Sequence, residues 1–366
     1  MNRFRVMYIL KNFPQMSETY ILTETEAVRD QCDIAVVATK KANLPAANHV
    51  PFERIEDLSR IRDRIEEFRP HVLHSHWLHS VKILGKLARK TNVPFTVRAH
   101  SFDSMWEETS AFGLFPFFNS YRFPSHIRRA LSYINDDLCL GILAFPFARR
   151  RLEEAGIRGD KIVDCYPVVN FGRFHNTGAN GDAIMNVGAC ISKKKMEDFV
   201  ELASQAPDKQ FNLYALGYQV EQLREFSRSR GSPVNFVPPV ELCDMPAEYK
   251  KHRWLVYTAA QGGRVGWPIS VAEAQAAGVG VCIANIRPDL RDYLGPAGFL
   301  YNSLAEALDI ISKPFPEELR QLGFEHAKKS DIFEHRKLLF QLWQKASSSS
   351  RLGESAQSLA APIRHP

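Results

Sequence analysis

The sequence has no apolar run long enough to cross a membrane and no closely spaced pair of cysteines. A membrane-spanning helix needs about 18 or more consecutive apolar residues, and no stretch of the 366 residues reaches that length. The six cysteines lie far apart, so none has the C-x-x-C spacing of a zinc or redox site. We therefore expect a protein of the reducing cytosol that at most lies on the inner face of the membrane.

The sequence also lacks any concentration of positive charge. It has 47 lysines and arginines against 41 acidic residues, and its basic runs, at 149–151 and 193–195, are short. A dedicated nucleic-acid-binding protein usually concentrates its charge more, so we expect no nucleic-acid partner. The mild basic excess still favours ligands that carry phosphate, or an anionic membrane face.

Two motifs of nucleotide chemistry are missing. Only Gly85 and Gly113 occur before residue 141, so no G-x-G-x-x-G loop follows the first predicted strand. No D-x-D occurs either, and two acids so spaced are expected where a divalent cation holds a diphosphate. We expect no cofactor and no bound metal. Glycines that follow predicted strands, among them Gly188 and Gly217, place a nucleotide in the second half of the chain.

Short apolar runs alternate with helical patterns along the whole chain. We predict strands at 6–10, 34–38, 72–75, 95–99, 142–145 and 162–166, and, after a loop at 170–182, at 184–187, 211–216, 234–237, 254–257 and 279–284. The clearest helices are predicted at 17–29, with Ser17 as its cap, 54–68, 81–88, 196–203 and 269–277. This rhythm predicts an α/β protein with two doubly wound domains, 1–168 and 169–330, that face each other across a cleft.

The most informative segment is GWPISVAEAQAAG at 266–278. A glycine loop precedes a helix that Pro268 opens and Gly278 ends. The N-terminus of such a helix can face an anion. Glu273 lies about one turn into the helix, where its carboxylate can reach a ribose diol.

This segment resembles the signature of retaining family-4 (group 1) glycosyltransferases, in which two glutamates flank seven residues ahead of a helix of small residues. Glu273 matches the second glutamate, which in that family binds the ribose hydroxyls. The first glutamate, which contacts the donor sugar, falls on Val265 here, and this is a departure from the pattern. Further candidates for donor binding follow in the same segment: Gly266, Pro268, Ile269 and Ser270.

The segment VGACISKKK at 187–195 resembles the strand and loop that hold the donor diphosphate in the same family. Lys194 matches the family's lysine and is our candidate for stabilising the leaving phosphate without a metal. The family's arginine falls on Ala189, a second departure. Lys193, Lys195 or Arg264 can compensate for the missing charge, and a solvated loop is the alternative interpretation.

The loop NFPQMSETY at 12–20 follows the first predicted strand. It resembles the F-P-x-x-S-E-T-F loop of exopolysaccharide-type members, which borders the acceptor side of the cleft. The resemblance therefore makes Gln15, Ser17 and Glu18 acceptor-side candidates. Simple helix capping by Ser17 explains the pattern equally well.

His100 follows a predicted strand in a segment similar to the family's T-x-H-x-x-D. The resemblance implies a histidine near the reacting sugar, so His100 joins Lys194 as a catalytic candidate, with a purely structural role as the alternative. His74 and His76 alternate onto one strand face near His79 and suggest zinc. No cysteine or acid joins them at ligand spacing, which argues against a metal site.

Residues 106–123 contain seven aromatic residues, with Arg122 among them and Arg128 and Arg129 soon after. Aromatic and basic residues together suit a membrane interface or a lipid-linked acceptor. A helical hairpin that packs its aromatic side chains inward is the alternative.

The resemblance extends from residue 6 to about residue 345 and implies a GT-B fold. It also implies that a helix at 331–346 crosses back to the first domain; we expect the polar tail, 347–366, to be disordered. We expect a hexosyltransferase that moves a sugar from a nucleotide sugar to a sugar, lipid-linked or small-molecule acceptor in polysaccharide or glycoconjugate biosynthesis, with retention. A sugar-nucleotide epimerase and a catalytically degenerate binding subunit are the alternatives.

Overall fold

The computed structural model describes residues 3–105 and 124–359. In the first domain the strands are β1 (Phe4–Asn12), β2 (Cys32–Lys40), β3 (Glu53–Arg54), β4 (Val72–His76), β5 (Phe95–Arg98), β6 (Cys139–Ala144) and β7 (Ile162–Asp164). The helices there are α1 (Thr19–Arg29), α2 (Leu58–Phe68), α3 (Val81–Thr91), α4 (Ser101–Ser104), α5 (Ser125–Ile134) and α6 (Arg149–Glu154).

The second domain repeats this plan. Its strands are β8 (Ala183–Ala189), β9 (Phe211–Leu216), β10 (Val234–Phe236), β11 (His252–Tyr257), β12 (Gly280–Ala284) and β13 (Gly298–Tyr301). Its helices are α7 (Phe171–Phe174), α8 (Glu197–Ser204), α9 (Val220–Ser229), α10 (Met245–Lys250), α11 (Ile269–Ala276), α12 (Leu290–Leu294), α13 (Leu304–Ser312), α14 (Glu317–Ala327) and α15 (Ile332–Leu359).

Both sheets are parallel and doubly wound. Their strand orders are β3-β2-β1-β4-β5-β6-β7 and β10-β9-β8-β11-β12-β13. Helices cover both faces of the sheets, so the central strands β4, β5 and β12 are buried along their whole length. β12 is apolar, whereas β4 and β5 also carry buried polar side chains, among them His74, His76 and Arg98. In register, Tyr8 of β1 lies between Val36 of β2 and His74 of β4. The predicted α/β class with two Rossmann-like sheets is confirmed.

The strand order reverses at β1/β4 in the first sheet and at β8/β11 in the second. Ligands of doubly wound sheets bind in the crevice at such a point, beyond the carboxyl ends of the strands. This position collects the loops after β1, β4 and β5 from one domain and the loops after β8 and β11 from the other.

Several predicted boundaries were wrong. Ser17 does not cap the first helix: a 3-10 turn, Met16–Glu18, precedes α1, and neither element has a side-chain cap. The predicted helix at 54–68 starts only at Leu58, because Asp57 caps it by accepting from the backbone N–H of Ser59 at 2.8 Å. We also missed β13, which pairs with β12.

The last helix, α15, returns to the first domain. Its start is tied to the domain linker, where Val169 donates to the carbonyl of Ser330 at 2.9 Å and accepts from Ile332 N–H at 2.8 Å. The helix continues to Leu359, past the expected end at 346 and into the tail we expected to be disordered. No proline interrupts the chain there before Pro362. Residues 360–366 lie outside the described part.

The aromatic segment 106–123 also lies outside the described residues. Within the described part of the chain, no helix combines the length and apolar character that crossing a membrane requires.

Trp343 anchors α15 on the first sheet. It is 1 % exposed, its indole N–H donates to Oγ1 of Thr96 at 2.9 Å, and its ring stacks at 6.5 Å on Phe4. We expect Trp343→Ala to lower the free energy of unfolding by about 3–5 kcal/mol, because it empties a large buried site and removes the partner of Thr96. Urea denaturation measures the loss. Gln341→Ala, at an exposed position of the same helix, is the matched control and should change stability by less than about 0.5 kcal/mol.

Candidate functional site

A cavity of about 390 Å³ lies between the two domains, at the carboxyl ends of both sheets. The first domain contributes the turn at the start of α1, the residue after β4, and residues at the ends of β5 and β6. The second contributes the loops after β8, β9 and β10 and the N-terminal half of α11. The predicted candidates among the lining residues are Ser17, Glu18, His100, Gly188, Lys194, Gly266, Pro268, Ile269, Ser270 and Glu273.

Glu273 lies on the buried face of α11, with 6 % of its surface exposed. Its Oε2 accepts a hydrogen bond from the hydroxyl of Tyr249 at 2.7 Å. Burial raises the pKa of the carboxyl to about 7, although Tyr249 opposes the shift by stabilising the charged form. Oε1 has no hydrogen-bond partner in the described part of the chain, so it can accept from a ligand in the cavity.

Lys194 ends the 3-10 turn Ser192–Lys194 that follows β8. Its ammonium lies 4.2 Å from the ring centroid of Tyr257. Burial, with the charge of Lys193 as a second cause, lowers the pKa of Lys194 to about 7. No carboxylate of the described residues pairs with it. An anion in the cavity would therefore supply the counter-charge that the protein does not.

Two basic candidates do not line the cavity. Lys195 has a left-handed backbone that turns its side chain outward, where it pairs with Asp198 at 2.9 Å. Arg264 lies outside the lining, and its carbonyl accepts from Nζ of Lys193 at 3.0 Å. Neither therefore replaces the absent arginine at Ala189 in this arrangement, and Lys193 itself lines the cavity.

The segment from Val265 into α11 is held firmly. Val265 is buried and lines the cavity, and its carbonyl accepts from Arg287. Trp267 stacks on Tyr293 with centroids 4.8 Å apart, and its indole N–H donates to Asp289 at 2.8 Å. These contacts fix Gly266 and the first turn of α11 against the cavity.

Gly188 is the second-to-last residue of β8 and has a φ of 145°. A backbone of this kind suits glycine, because a side chain there would be strained. Gly188 lines the cavity beside Lys194, so a ligand can come close to the main chain at this point.

An apolar slot in the second domain is a site feature that we did not predict from the sequence. It follows β9 and β10 and is formed by Tyr214, Leu216, Val237, Pro238, Pro239, Leu242 and Met245. Two consecutive prolines directly after a predicted strand were the available signal. The slot and Glu273 line the same cavity, and the apolar character of the slot suits a planar ring.

On the opposite wall, the turn before α1 brings Ser17 and Glu18 to the cavity. Burial raises the pKa of Glu18 to about 7, with the charge of Lys11 opposing the shift. Gln15 does not line the cavity. Its Oε1 accepts from the backbone N–H of Asn43 at 3.1 Å, so it supports the loop.

His100 lines the cavity, and one of its ring nitrogens is paired within the protein. Its Nε2 lies 3.0 Å from Nδ1 of His76, and its backbone N–H donates to Oδ1 of Asp103 at 2.7 Å. Burial lowers the pKa of His100 well below its usual value, so the ring is neutral. The catalytic role expected for His100 stays a prediction.

A buried carboxylate, Glu24, lies beyond His76. Nε2 of His76 lies 3.3 Å from Oε1 of Glu24, and Nε2 of His74 lies 3.1 Å from the same oxygen. Arg98 donates to Oε2 of Glu24 through Nε at 2.8 Å, and its Nη2 lies 2.7 Å from that oxygen in the same ion pair. Burial alone would raise the pKa of Glu24, but Arg98 and the two histidines hold it well below its usual value.

Glu24, His74 and His76 have a geometry that could hold a metal ion, with ligand atoms within 4.8 Å of one another. Arg98 already provides the positive charge at this carboxylate, so a second cation would meet repulsion at close range. His79 lies at the surface, away from the group. His74 and His76, which we suspected of binding zinc, therefore contact a buried ion pair. Their acidic partner is Glu24, which the sequence spacing did not connect with them.

Comparisons with known proteins agree with this geometry. Residues 18–134 match the profile of the glycosyl transferase 4-like domain. No curated protein sequence matches the chain. Among solved structures, Anabaena Alr3699/HepE in complex with UDP-glucose has a TM-score of 0.69 and 13% identity, covering 95% of this chain and 99% of that one.

Two further structures have the same fold. Sucrose-phosphate synthase from Thermosynechococcus elongatus has a TM-score of 0.67 and 13% identity, over 97% of this chain and 100% of that one. The lipopolysaccharide outer core galactosyltransferase WaaB in its apo form has a TM-score of 0.61 and 13% identity, over 95% and 100%. Residues 18–134 therefore match a glycosyl transferase 4-like domain, and the chain as a whole has the GT-B fold of these structures.

Proposed function

We propose that this glycosyltransferase moves a hexose from a uridine diphosphate sugar to an acceptor hydroxyl, with retention and without a metal, in polysaccharide or glycoconjugate biosynthesis on the cytosolic side of the membrane. The observation that carries the proposal is the shared cavity, in which Glu273 and Lys194 lie on one wall and the turn with Ser17 and Glu18 on the other. The HepE complexes with UDP and UDP-glucose support the choice of nucleotide.

The nucleoside fits the second-domain wall. The planar base packs in the apolar slot, and the ribose beside it reaches Glu273. A carboxylate that accepts from two hydroxyls makes stronger hydrogen bonds than a neutral group, and Oε1 is available for this purpose. Tyr249 holds the other oxygen and thereby fixes the orientation of the carboxyl group.

The diphosphate belongs between the ribose and the first domain. Lys194 faces it with a positive charge that lacks a protein partner in the described part of the chain, and Gly188 lets the main chain approach closely. The first turn of α11 adds N–H groups and the positive end of a helix dipole. These groups stabilise negative charge as it develops on the leaving diphosphate.

Metal independence is supported by the acids of the cavity. Glu18 and Glu273 are the carboxylates among its described lining residues, and they belong to opposite walls. Glu273 is further engaged with Tyr249. A pair of acids that could hold a divalent cation against the diphosphate is therefore missing from the described lining, and Lys194 takes the corresponding electrostatic role.

Retention is proposed to follow from attack on the face that the diphosphate leaves. The acceptor oxygen forms the new bond to the anomeric carbon as the bond to the phosphate oxygen breaks, and the acceptor proton passes to the leaving diphosphate. This route requires no protein nucleophile. It requires that the acceptor hydroxyl and the phosphate lie on the same side of the sugar, between the two walls of the cavity.

Val265 stands where the family has a glutamate that contacts the donor sugar. We propose that main-chain groups take over this contact, because the backbone N–H of Gly266 has no partner among the described residues and Gly266 lines the cavity. The second candidate function, a degenerate binding subunit, is favoured by this departure and by Ala189. Turnover of the donor separates the two.

Glu273→Gln should weaken binding of UDP-glucose by about 1–3 kcal/mol, because an amide accepts more weakly from the ribose hydroxyls. The wild-type affinity should also fall below pH 7, where Glu273 becomes protonated, whereas the variant should lack this acid limb. Calorimetric titration from pH 5 to pH 7 measures both. Glu201→Gln, whose carboxylate pairs with Arg230 outside the cavity, is the control. Unchanged affinity in a folded Glu273→Gln protein would remove Glu273 from the site.

The lowered pKa of Lys194 predicts how the affinity for the donor changes above pH 7. Its pKa is about 7 in the empty cavity, and a bound diphosphate raises it, so binding above pH 7 requires proton uptake. The affinity for UDP-glucose should fall by up to about tenfold per pH unit between pH 7 and pH 9. Lys194→Arg, which stays charged, should be flat over this range. A flat wild-type profile would contradict the assignment.

Donor turnover should survive chelation. Purified protein with UDP-glucose, UDP-galactose or UDP-N-acetylglucosamine should release UDP in the presence of EDTA, because Lys194 carries the charge that a metal would otherwise supply. Release of UDP is followed by a coupled assay, with Lys194→Ala as the inactive control. If EDTA abolishes turnover and magnesium or manganese restores it, the metal-independent mechanism is wrong. Binding without turnover of any donor would favour the degenerate subunit.

A further inference from the structure

Three aromatic side chains form part of the first-domain wall of the cavity. The ring centroid of Tyr20 lies 4.4 Å from that of His100, and the ring centroid of Trp77 lies 4.5 Å from His100. Tyr20 and Trp77 meet edge to face at 6.4 Å. All three line the cavity, and Tyr20 and Trp77 are only partly buried. We call this group the aromatic wall.

The backbone of Trp77 is unusual for a large side chain. Its φ of 77° and ψ of 126° lie in a region that bulky residues rarely adopt. Two hydrogen bonds hold it there, one from its N–H to the carbonyl of Arg98 at 2.8 Å and one from the hydroxyl of Ser80 to its own carbonyl at 2.7 Å. Such a conformation persists only where surrounding structure enforces it, and such residues cluster at ligand sites. Here the enforced turn presents the indole to the cavity.

The aromatic wall lies on the side of the cavity opposite the proposed donor groups. Lys194 and Glu273 belong to the second domain, whereas Tyr20 and Trp77 belong to the first, with Glu18 beside Tyr20 in sequence. A molecule that packs on the wall therefore faces the donor sugar. This is the position that an acceptor has to take for transfer.

The charges of this wall restrict the chemistry of the acceptor. Among the described first-domain residues that line the cavity, the one cation is Arg98, whose guanidinium is buried and paired with Glu24. The carboxylate of the wall, Glu18, would repel a phosphate. His100 is neutral, and its Nε2 is paired with His76, so it contributes ring surface and no charge. A phosphate-bearing headgroup is therefore poorly matched at this position.

A sugar ring fits the same set of groups. A pyranose has an apolar face of C–H groups that packs against an aromatic ring, whose face carries negative charge, and hydroxyl groups around its rim that donate to a carboxylate. Trp77 and Tyr20 supply the surface, and Glu18 supplies the acceptor of hydrogen bonds.

We propose that the aromatic wall is the subsite for the terminal sugar of a carbohydrate acceptor, in which Trp77 stacks on the sugar ring and Glu18 accepts from one of its hydroxyls. This assignment rests on the proposed transferase function and adds the chemical class of the acceptor to it. The reaction that precedes this one must therefore leave a sugar with a free hydroxyl at the growing end.

The test uses the donor that the protein turns over and four acceptor probes: methyl β-glucoside, methyl β-galactoside, glycerol and glycerol 3-phosphate. We expect transfer to at least one glycoside and none to glycerol or glycerol 3-phosphate. Trp77→Ala should raise the KM for that glycoside at least tenfold and leave the affinity for UDP unchanged. Trp77→Phe, which keeps a ring, should stay within about threefold of the wild type.

His79→Ala is the matched control, because His79 stacks on Trp77 at 6.0 Å from outside the cavity and should leave the KM unchanged. UDP affinity in each variant shows that the donor site is folded. Preferential transfer to glycerol 3-phosphate, or an unchanged glycoside KM in Trp77→Ala, overturns this proposal but leaves the transferase function standing. Absence of both donor turnover and UDP binding in the wild type overturns the transferase function as well.

Discussion

The ion pair between Glu24 and Arg98 determines how the first-domain wall of the cavity is built. Both side chains are buried, with 0 % and 1 % exposure, and neither charge tolerates the loss of its partner in such surroundings. Glu24 comes from α1 and Arg98 from β5, so the pair joins a helix to the sheet it covers. Because Glu24 also fixes His74 and His76, the carboxylate sets the orientation of three neighbouring side chains.

The consequences extend from this pair to the cavity surface along two routes. One passes through His76, which pairs with Nε2 of His100, while burial keeps that ring neutral. The other passes through the backbone carbonyl of Arg98, which holds the strained turn of Trp77. The wall therefore offers aromatic surface and no charged histidine. The positive charge of Arg98 is paired with Glu24 inside the domain.

The opposite wall follows a different electrostatic rule. Lys194 and Glu273 are both removed from water without a full counter-charge, and both have pKa values near 7 for that reason. The desolvation that disfavours their charged forms in the empty cavity has already occurred before a ligand arrives. In the proposed complex a nucleotide diphosphate completes the pairing of Lys194 and ribose hydroxyls complete the hydrogen bonding of Glu273, so the donor stabilises both charged forms further.

The sequence was informative wherever a structural feature depends on neighbours along the chain. Alternating apolar runs predicted two parallel sheets, and the glycine, proline and small-residue pattern around Glu273 predicted a helix whose start faces a ligand. Lys194 was identified through the resemblance of the segment 187–195 to a family's strand and loop, in which it matches the lysine. Features that depend on the crossing of distant elements were not accessible. Glu24 has the appearance of an ordinary helix charge until α1 is laid across β4 and β5.

The same limit explains why some predicted site residues do not line the cavity. Lys195 and Lys194 are adjacent in sequence, but the left-handed backbone at Lys195 sends the two side chains in different directions. Nothing in a run of three lysines shows which one enters a cavity. Likewise the apolar slot consists of residue types that are common in protein cores. The sequence therefore does not show that these residues line a cavity.

The departure at Val265 is best understood from what holds that position. Arg287 donates to the carbonyl of Val265, forms an ion pair with Asp289, and lies 4.5 Å from the ring of Phe147 in the first domain. The arginine thus fastens the segment to both domains through its main chain. Because Gly266 comes next, the anchored carbonyl fixes the peptide plane whose N–H belongs to Gly266. In the proposed complex this peptide plane, and not a side chain, then sets the contact to the sugar.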